Sequence, residues 1–181
     1  MILVAPSIDR LPPYAEALGR GWSPNTTRDV SFTQLAAIRA DPDAFIADLA
    51  RQEGGTITLG DGTVVPRLPG PVYWMWDNAF CGAINLRYLP GTEDLPPHVS
   101  GHIGYAVVPW KQRRRYATRA LAMMLPIAHA RGLARVQITT DDDNIPSQKV
   151  ILANGGVPSG SKPDPDTGKI KLLFWVRTDP A

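Results

Sequence analysis

The feature that most constrains this chain is a change of hydrophobic period after Pro109. The run HIGYAVVPW predicts a strand that Pro109 ends. From Arg113 to Arg131 the sequence predicts an amphipathic helix, with Gly132 as its C-cap and Pro126 as a point where it kinks or ends early. The apolar positions of that helix lie three or four residues apart, at Ala117, Ala120, Leu121, Met124 and Ala128.

The turn between this strand and this helix is strongly basic. It and the first helical turns carry Lys111, Arg113, Arg114, Arg115 and Arg119. Cations at a helix N-terminus oppose the helix macrodipole, so a compensating partner is expected. Free first-turn N–H groups and arginine side chains together suit a polyanion such as pyrophosphate. The alternatives are a solvated charged turn or a patch for a nucleic-acid backbone.

The remaining segments predict helices first and strands later. A short strand at 1–5 precedes an amphipathic stretch at 9–19 and a helical region from Ser31, which opens with a hydroxyl cap and breaks at Asp41–Pro42. Turns are predicted for 54–70. Further along, the sequence predicts a hairpin of VYWMW and FCGAINLRY around Asp77–Asn78 with two unlike faces on its second strand, a strand ARVQITT, a helix from Asp143 or Asn144 through Leu152, and a strand KLLFWV.

Composition indicates one ordinary globular domain. The 181 residues are 44% apolar and 20% charged, and a net charge of +2 is too small to argue for nucleic acid by itself. The single cysteine, Cys81, excludes an intramolecular disulfide, and no Cys/His cluster has zinc spacing, so no metal is expected. Neither a signal peptide nor an apolar span is found, which predicts a soluble, cytoplasmic protein without a membrane partner.

Several motifs in fixed order resemble the GNAT superfamily of N-acetyltransferases. The family's coenzyme A signature, Q/R-x-x-G-x-G/A, matches Gln112, Arg113, Arg114, Arg115, Tyr116 and Ala117. The segment GHIGYAVVPW is similar to the family's splayed fourth strand. DNIPSQKVILANGG is similar to its N-x-x-S helix, with Asn144 and Ser147 in the motif positions. The resemblance covers 101–157 well.

The resemblance implies an α+β fold, the three-layer GNAT arrangement. Its central sheet would be mixed but mostly antiparallel and twisted, with six to seven strands flanked by helices and splayed at the fourth strand. Residues 1–181 would form a single domain, with an N-terminal strand and helices in 1–55 and the coenzyme A-binding core in 101–157.

The same resemblance implies which residues bind acetyl-CoA, the cosubstrate. Backbone groups of Ala106, Val107 and Val108 would pair with the pantetheine arm, and one amide would face the thioester oxygen. Asn144 would reach the pantetheine or thioester, and Ser147 belongs to the same motif. The pyrophosphate would be held by main-chain N–H groups of the basic turn, in the set Gln112, Arg113, Arg114, Arg115, Tyr116, Ala117 and Thr118.

Two residues depart from the family pattern. Arg115 stands where the family usually has a glycine, which lets the backbone close on the pyrophosphate. Ile151 stands where many members have the tyrosine that protonates the departing thiolate, so another group or water would do this, or the thiolate would leave unassisted.

In the mechanism that the resemblance implies, a substrate amine attacks the thioester directly through a tetrahedral intermediate. No enzyme nucleophile is needed, so Cys81 is expected to be an ordinary strand residue. His102 is the candidate general base, although it also suits a strand-end histidine bonded to backbone. Other base candidates are Glu93, Asp94 and 141–143, of which the last also suit a turn with an N-cap, and water is a further option.

The acceptor is not specified by the sequence. A small-molecule or peptide amine is expected, no nucleic acid is expected, and a homodimer is left open. The five tryptophans either line an acceptor pocket or, for at least three of them, belong to the core. Two rival functions stand beside acetyl transfer. One is a catalytically weak or inactive GNAT-like module that binds coenzyme A weakly or not at all and serves as an interaction or sensor unit, and the other is a nucleic-acid-binding domain that uses KQRRR.

Overall fold

The computed structural model describes residues 1–59, 61–164 and 168–179, and it has an α+β fold. No helix in this part of the chain is long and apolar enough to cross a membrane. Its helices are α1 (Leu11–Gly19), α2 (Ser31–Ala40), α3 (Pro42–Ala50), α4 (Tyr116–His129) and α5 (Ile145–Leu152). Its strands are β1 (Ile2–Val4), β2 (Thr56–Thr58), β3 (Val64–Pro66), β4 (Val72–Trp76), β5 (Phe80–Leu86), β6 (Ile103–Val107), β7 (Arg135–Asp141), β8 (Val157–Pro163) and β9 (Ile170–Arg177).

The chain divides into two compact units by its internal contacts. The first unit contains Met1–Gln52, Pro71–Asn85 and Gly104–Ala120. The second contains Glu53–Gly70, Leu86–Ile103 and the residues from Leu121 onward. The expectation of one domain over 1–181 stays a prediction.

The first unit carries a four-stranded sheet in the order β1–β4–β5–β6. β4 is antiparallel to both β1 and β5, with Ile2 opposite Trp76 and Trp74 opposite Ala83. An aromatic cluster forms the core, in which Tyr14 stacks on Trp74 at 4.9 Å between ring centres. The hairpin predicted around Asp77–Asn78 is therefore confirmed. The prediction of two unlike faces on β5 is wrong, because all its residues except Asn85 are buried.

A β-bulge brings β5 unusually close to β6. Met75 pairs with Gly82 but Trp76 pairs with Phe80, so Cys81 is the extra residue. Gly82 has a φ of +147°, and a Cβ there would lie only 2.2 Å from the carbonyl oxygen of Ala106. Only glycine allows this approach of the two backbones.

The N-terminal helices follow the predicted breaks with one correction. The chain breaks at Asp41–Pro42, where the Asp41 carboxylate caps α3 by accepting from the Ala44 N–H at 2.9 Å. The predicted hydroxyl cap at Ser31 is wrong. Asp29 lies two residues earlier and accepts from the Ser31 N–H at 2.8 Å. The acceptor at the start of α2 is therefore a carboxylate and not the Ser31 hydroxyl.

The second unit carries a three-stranded antiparallel sheet in the order β7–β9–β8 and a separate hairpin of β2 and β3. That hairpin lies in 54–70, where only turns were predicted. β8 was also not predicted: it is the edge strand of its sheet, and its sequence VPSGSKP has no hydrophobic alternation.

The predicted sheet of six to seven strands, splayed at the fourth, corresponds to a four-stranded sheet ending at β6 and a three-stranded sheet beginning at β7. The helix predicted from Arg113 starts at Tyr116 instead. Pro126 does not end this helix, which continues to His129 and accepts a bond from the Ala130 N–H at the Pro126 carbonyl.

Candidate phosphate-binding loop and acetyl-transfer site

The basic turn is fixed at its start by Val108. This buried residue follows β6, and its N–H donates to the Cys81 carbonyl on β5 at 3.0 Å. Its own carbonyl accepts from the Lys111 N–H at 2.9 Å, which closes a 3-10 turn over Pro109–Lys111. Both backbone groups of Val108 are therefore engaged. Pairing of Ala106, Val107 and Val108 with a pantetheine arm stays a prediction.

The loop Gln112–Arg115 alternates its backbone conformation. Arg113 has a φ of 61° and Arg115 a φ of 59°, while Gln112 is extended. Both arginines thus occupy the left-handed region, at a cost of roughly 1–2 kcal/mol each for a residue with a Cβ. Arg115 adopts the conformation that the glycine of the motif would take without strain. All four side chains of the loop are exposed.

The loop is rich in positive charge that lacks a counter-ion. Arg113, Arg114 and Arg115 make no ion pair with any residue that the structure describes. No acidic residue occurs in the sequence between Asp94 and Asp141. In the 3-10 turn before the loop, Trp110 lies beneath the guanidinium of Arg20 at 3.5 Å. The loop can therefore accept several negative charges.

The loop leads directly into α4. The first N–H groups of an α-helix have no intrahelical acceptor, and in α4 these begin with Tyr116 and Ala117. Together with the helix dipole they favour an anion at this end. Thr118, the remaining predicted position, is a half-buried residue of the same turn.

Asp77, which the sequence indicates only as part of a turn, fixes the far end of the loop. The Tyr116 hydroxyl donates to Asp77 Oδ2 at 2.7 Å, across the turn between β4 and β5. This bond holds the pKa of the Asp77 carboxyl below its usual value and raises the pKa of Tyr116. Asp77 and Tyr116 are 39 positions apart. No local pattern in the sequence could have joined them.

His102 is wholly buried in the second unit and bonds twice to Gln137 of β7. Its N–H donates to the Gln137 carbonyl at 2.7 Å, and its Nδ1 accepts from the Gln137 N–H at 2.9 Å. The neutral ring therefore carries its proton on Nε2, which has no partner among the described residues. Burial lowers the pKa of His102. These bonds are those of a strand-end histidine bonded to backbone, the alternative to a general base. The general-base role stays a prediction, and it requires the Gln137 N–H to leave Nδ1.

The acidic base candidates are partly occupied by ion pairs. Glu93 accepts from the Arg135 Nε at 2.6 Å, and this bond lowers the pKa of its carboxyl. Asp141 pairs with Lys171 and Lys169, and Lys169 also pairs with Asp143 at 3.2 Å. Asp94 and Asp142 are exposed and have no such partner among the described residues.

The helix α5 has the predicted cap. Asn144 is its N-cap and accepts from the Ser147 N–H at 3.1 Å, while its side-chain amide is exposed. Ile151 is fully buried, and Gly156 packs so closely against it that a Cβ there would lie 2.4 Å from its side chain. The position at which the resemblance leads one to expect a tyrosine is thus part of the core.

The family is decided by a comparison with protein-family models. Residues 26–157 match the model described as an acetyltransferase (GNAT) domain. The chain belongs to the GNAT acetyltransferase family. A search of curated proteins gives no significant match.

Solved structures of GNAT proteins share the fold over nearly the whole chain. An acetyltransferase from Salmonella typhimurium, which modifies the N-terminal serine of ribosomal protein L7/L12, has a TM-score of 0.65 at 13% identity, covering 98% of this chain and 94% of that one. A GNAT-family acetyltransferase from Bordetella pertussis gives 0.57 at 17% identity, covering 96% and 93%. The microcin C7 self-immunity acetyltransferase MccE, solved with acetyl-CoA and AMP, gives 0.61 at 11% identity, covering 97% and 91%.

Other residues of this GNAT domain have mainly structural positions. Cys81 is buried in β5, donates to the Ala79 carbonyl at 3.3 Å, and has a pKa raised by that burial, which does not suit a nucleophile. Trp22 and Trp74 lie in the aromatic core, and Trp76 packs against it. No group of three or more His, Cys, Asp or Glu residues arranged to hold a metal occurs in the described ranges.

Proposed function

We propose that this GNAT domain is an N-acetyltransferase that moves an acetyl group from acetyl-CoA to an amine. The observation that carries the proposal is the backbone of the loop Gln112–Arg115. Arg115 has a left-handed backbone, the conformation that favours glycine, at the position where the motif has a glycine. A loop with this conformation directs main-chain N–H groups toward a diphosphate.

The donor set suits coenzyme A. Its diphosphate is matched by the N–H groups at the start of α4. Arg113, Arg114 and Arg115 supply guanidiniums that form no competing ion pair with the residues the structure describes. Ala106 and Val107 would offer backbone groups to the pantetheine arm. The side-chain amide of Asn144 is exposed and able to donate to an amide or thioester oxygen.

The reaction proposed is direct attack of the neutral amine on the thioester carbonyl. The nitrogen–carbon bond forms, the tetrahedral intermediate collapses, and the carbon–sulfur bond breaks to release the thiolate, whose modest basicity lets it leave unassisted. The proton of the amine passes to water or to an exposed carboxylate. Asp94 and Asp142 are the candidates, since neither forms an ion pair within the described part of the chain.

A second candidate is a coenzyme A-binding module with little or no catalysis. It is favoured because the side chains predicted to accept or donate the proton are engaged elsewhere or unable to do so. His102 has its Nδ1 occupied, Glu93 is paired with Arg135, and Ile151 has no proton to give. The two candidates share the loop and differ only in turnover.

The acceptor is proposed as a small-molecule or peptide amine, with no nucleic acid or membrane involved. Activity on a ribosomal protein N-terminus belongs to the Salmonella relative, and at 13% identity it makes a peptide N-terminus one acceptor class to test. A cytoplasmic location is part of the same proposal, while the choice between a monomer and a homodimer is left open.

Calorimetry with acetyl-CoA, coenzyme A and duplex DNA at two salt concentrations tests the proposal. Acetyl-CoA is expected to bind and DNA is not. Absence of acetyl-CoA binding would overturn both candidates. If acetyl-CoA binds, thiol release with a panel of polyamines, amino acids and peptide N-termini distinguishes the enzyme from the inactive module.

A further inference from the structure

The loop Gln112–Arg115 is attached to the first unit at its two ends. At the front, Val108 donates to the Cys81 carbonyl, and at the back, Tyr116 donates to Asp77. Cys81 and Asp77 flank the same β4–β5 turn. The four residues of the loop Gln112–Arg115 are exposed, and two of them have left-handed backbones.

The back attachment is made by the side-chain hydroxyl of Tyr116. Tyr116 is the first residue of α4 and is 5% exposed, so its position sets where the helix begins. Among the described residues Asp77 Oδ2 accepts from its hydroxyl at 2.7 Å, and the Cys81 thiol also interacts with the same hydroxyl. The turn directs this carboxylate, because the Asp77 N–H donates to the Ala79 carbonyl at 3.0 Å and Asn78 has a φ of 56°.

An acidic residue is unexpected beside a site for a polyanion. The Asp77 carboxylate attracts the same cations as the ligand does: Arg119 helps to lower the pKa of Asp77 and lies 5.2 Å from the Tyr116 ring. For coenzyme A binding its charge is therefore unfavourable, while its hydrogen bond orders the loop. The two effects have opposite signs.

We propose that Asp77 is a positioning residue, which acts through Tyr116 to hold the start of α4 in the conformation that binds the diphosphate of coenzyme A. This inference rests on the proposed function for its ligand. Its structural part, that the Tyr116–Asp77 bond orders the start of α4, is measurable without any ligand.

Two neutral variants of Asp77 separate the bond from the charge. Asp77→Asn keeps an oxygen that accepts from Tyr116, whereas Asp77→Ala does not. Both remove the same negative charge. We expect Asp77→Asn to bind coenzyme A as tightly as the wild type or up to about tenfold more tightly, and Asp77→Ala to bind about three- to tenfold more weakly than Asp77→Asn.

Tyr116→Phe completes the test. It should weaken coenzyme A binding about three- to tenfold in the wild-type background and have no further effect on Asp77→Ala. Tyr73→Phe is the matched hydroxyl control, since its hydroxyl has no hydrogen-bond partner in the described structure, and Asp43→Asn is the matched charge control on α3. Neither control should change the affinity.

Hydrogen exchange of the segment 109–119 in the free protein provides the ligand-independent measurement. Exchange should accelerate in Asp77→Ala and Tyr116→Phe and stay at the wild-type rate in Asp77→Asn. Equal exchange in all variants, or equal affinity of Asp77→Asn and Asp77→Ala, overturns the inference. A wild type that binds no coenzyme A overturns the proposed function instead, and the exchange rates still decide whether Asp77 orders the loop.

Discussion

Replacing the three arginines of the basic loop by glycine one at a time should give stability changes of alternating sign. At Arg113 and Arg115, with φ near 60°, glycine removes a left-handed strain of about 1–2 kcal/mol. Glycine also loses about 0.5–1 kcal/mol more through backbone entropy on folding. Each variant should therefore gain roughly 0.5–1 kcal/mol, which raises the melting temperature by about 1–4 °C for a chain of this length.

Arg114→Gly is the matched control because it removes the same charge without a left-handed backbone. It should lose about 0.5–1 kcal/mol through the entropy of glycine alone. Any relief of repulsion between the clustered cations is common to the three variants, so the difference between them isolates the backbone. Urea denaturation measures each free energy of unfolding. A loss of stability in Arg115→Gly equal to that in Arg114→Gly would refute the assignment of Arg115 to a left-handed, glycine-like position.

The other predictions concern three further sites. Gly82→Ala should destabilise the protein by about 3 kcal/mol in urea denaturation, because its Cβ would collide with the Ala106 carbonyl at 2.2 Å; unchanged stability would contradict the bulge. Burial lowers the pKa of His102, so as the pH falls below about 6.5 the unfolded chain binds a proton at this residue before the folded chain does. The free energy of unfolding of the wild type should then fall more steeply with pH than that of His102→Asn, by up to about 1.4 kcal/mol per pH unit. Equal slopes of stability against pH in the two proteins would contradict this prediction. Asn144→Ala should weaken α5 by about 1 kcal/mol through its lost cap and lower acetyl-CoA affinity, whereas Asn144→Ser should restore the cap but not the affinity.

The parts of the fold that could be predicted are those with a strong hydrophobic period. The β4–β5 hairpin, β7 and α4 follow their patterns closely. The β2–β3 hairpin and β8 could not be predicted, because both strands of the hairpin are mostly exposed and β8 contains Pro158, Gly160 and Pro163. Their strands are defined by backbone pairing with the next strand along the chain, which side-chain hydrophobicity does not indicate.

The candidate site could be predicted only where its residues are neighbours in the sequence. Strand, basic turn and helix adjoin in sequence, so the motif located the loop. The start of α4 was placed three residues too early, since side-chain pattern does not indicate that Arg113 and Arg115 have left-handed backbones. The attachment to Asp77 and the bonds between His102 and Gln137 join residues 35 or more positions apart, and periodicity does not record such contacts.

The edge strand β8 limits how copies of this chain can associate. Two of its seven residues are prolines, which have no N–H to donate, Lys162 adds a charge, and its register against β9 shifts between Pro158 and Gly160. An interrupted, charged row of donors makes a poor template for a foreign strand. Growth of the three-stranded sheet is therefore disfavoured at β8, and two copies that met at this edge would contact each other through side chains instead of a shared ladder of backbone hydrogen bonds.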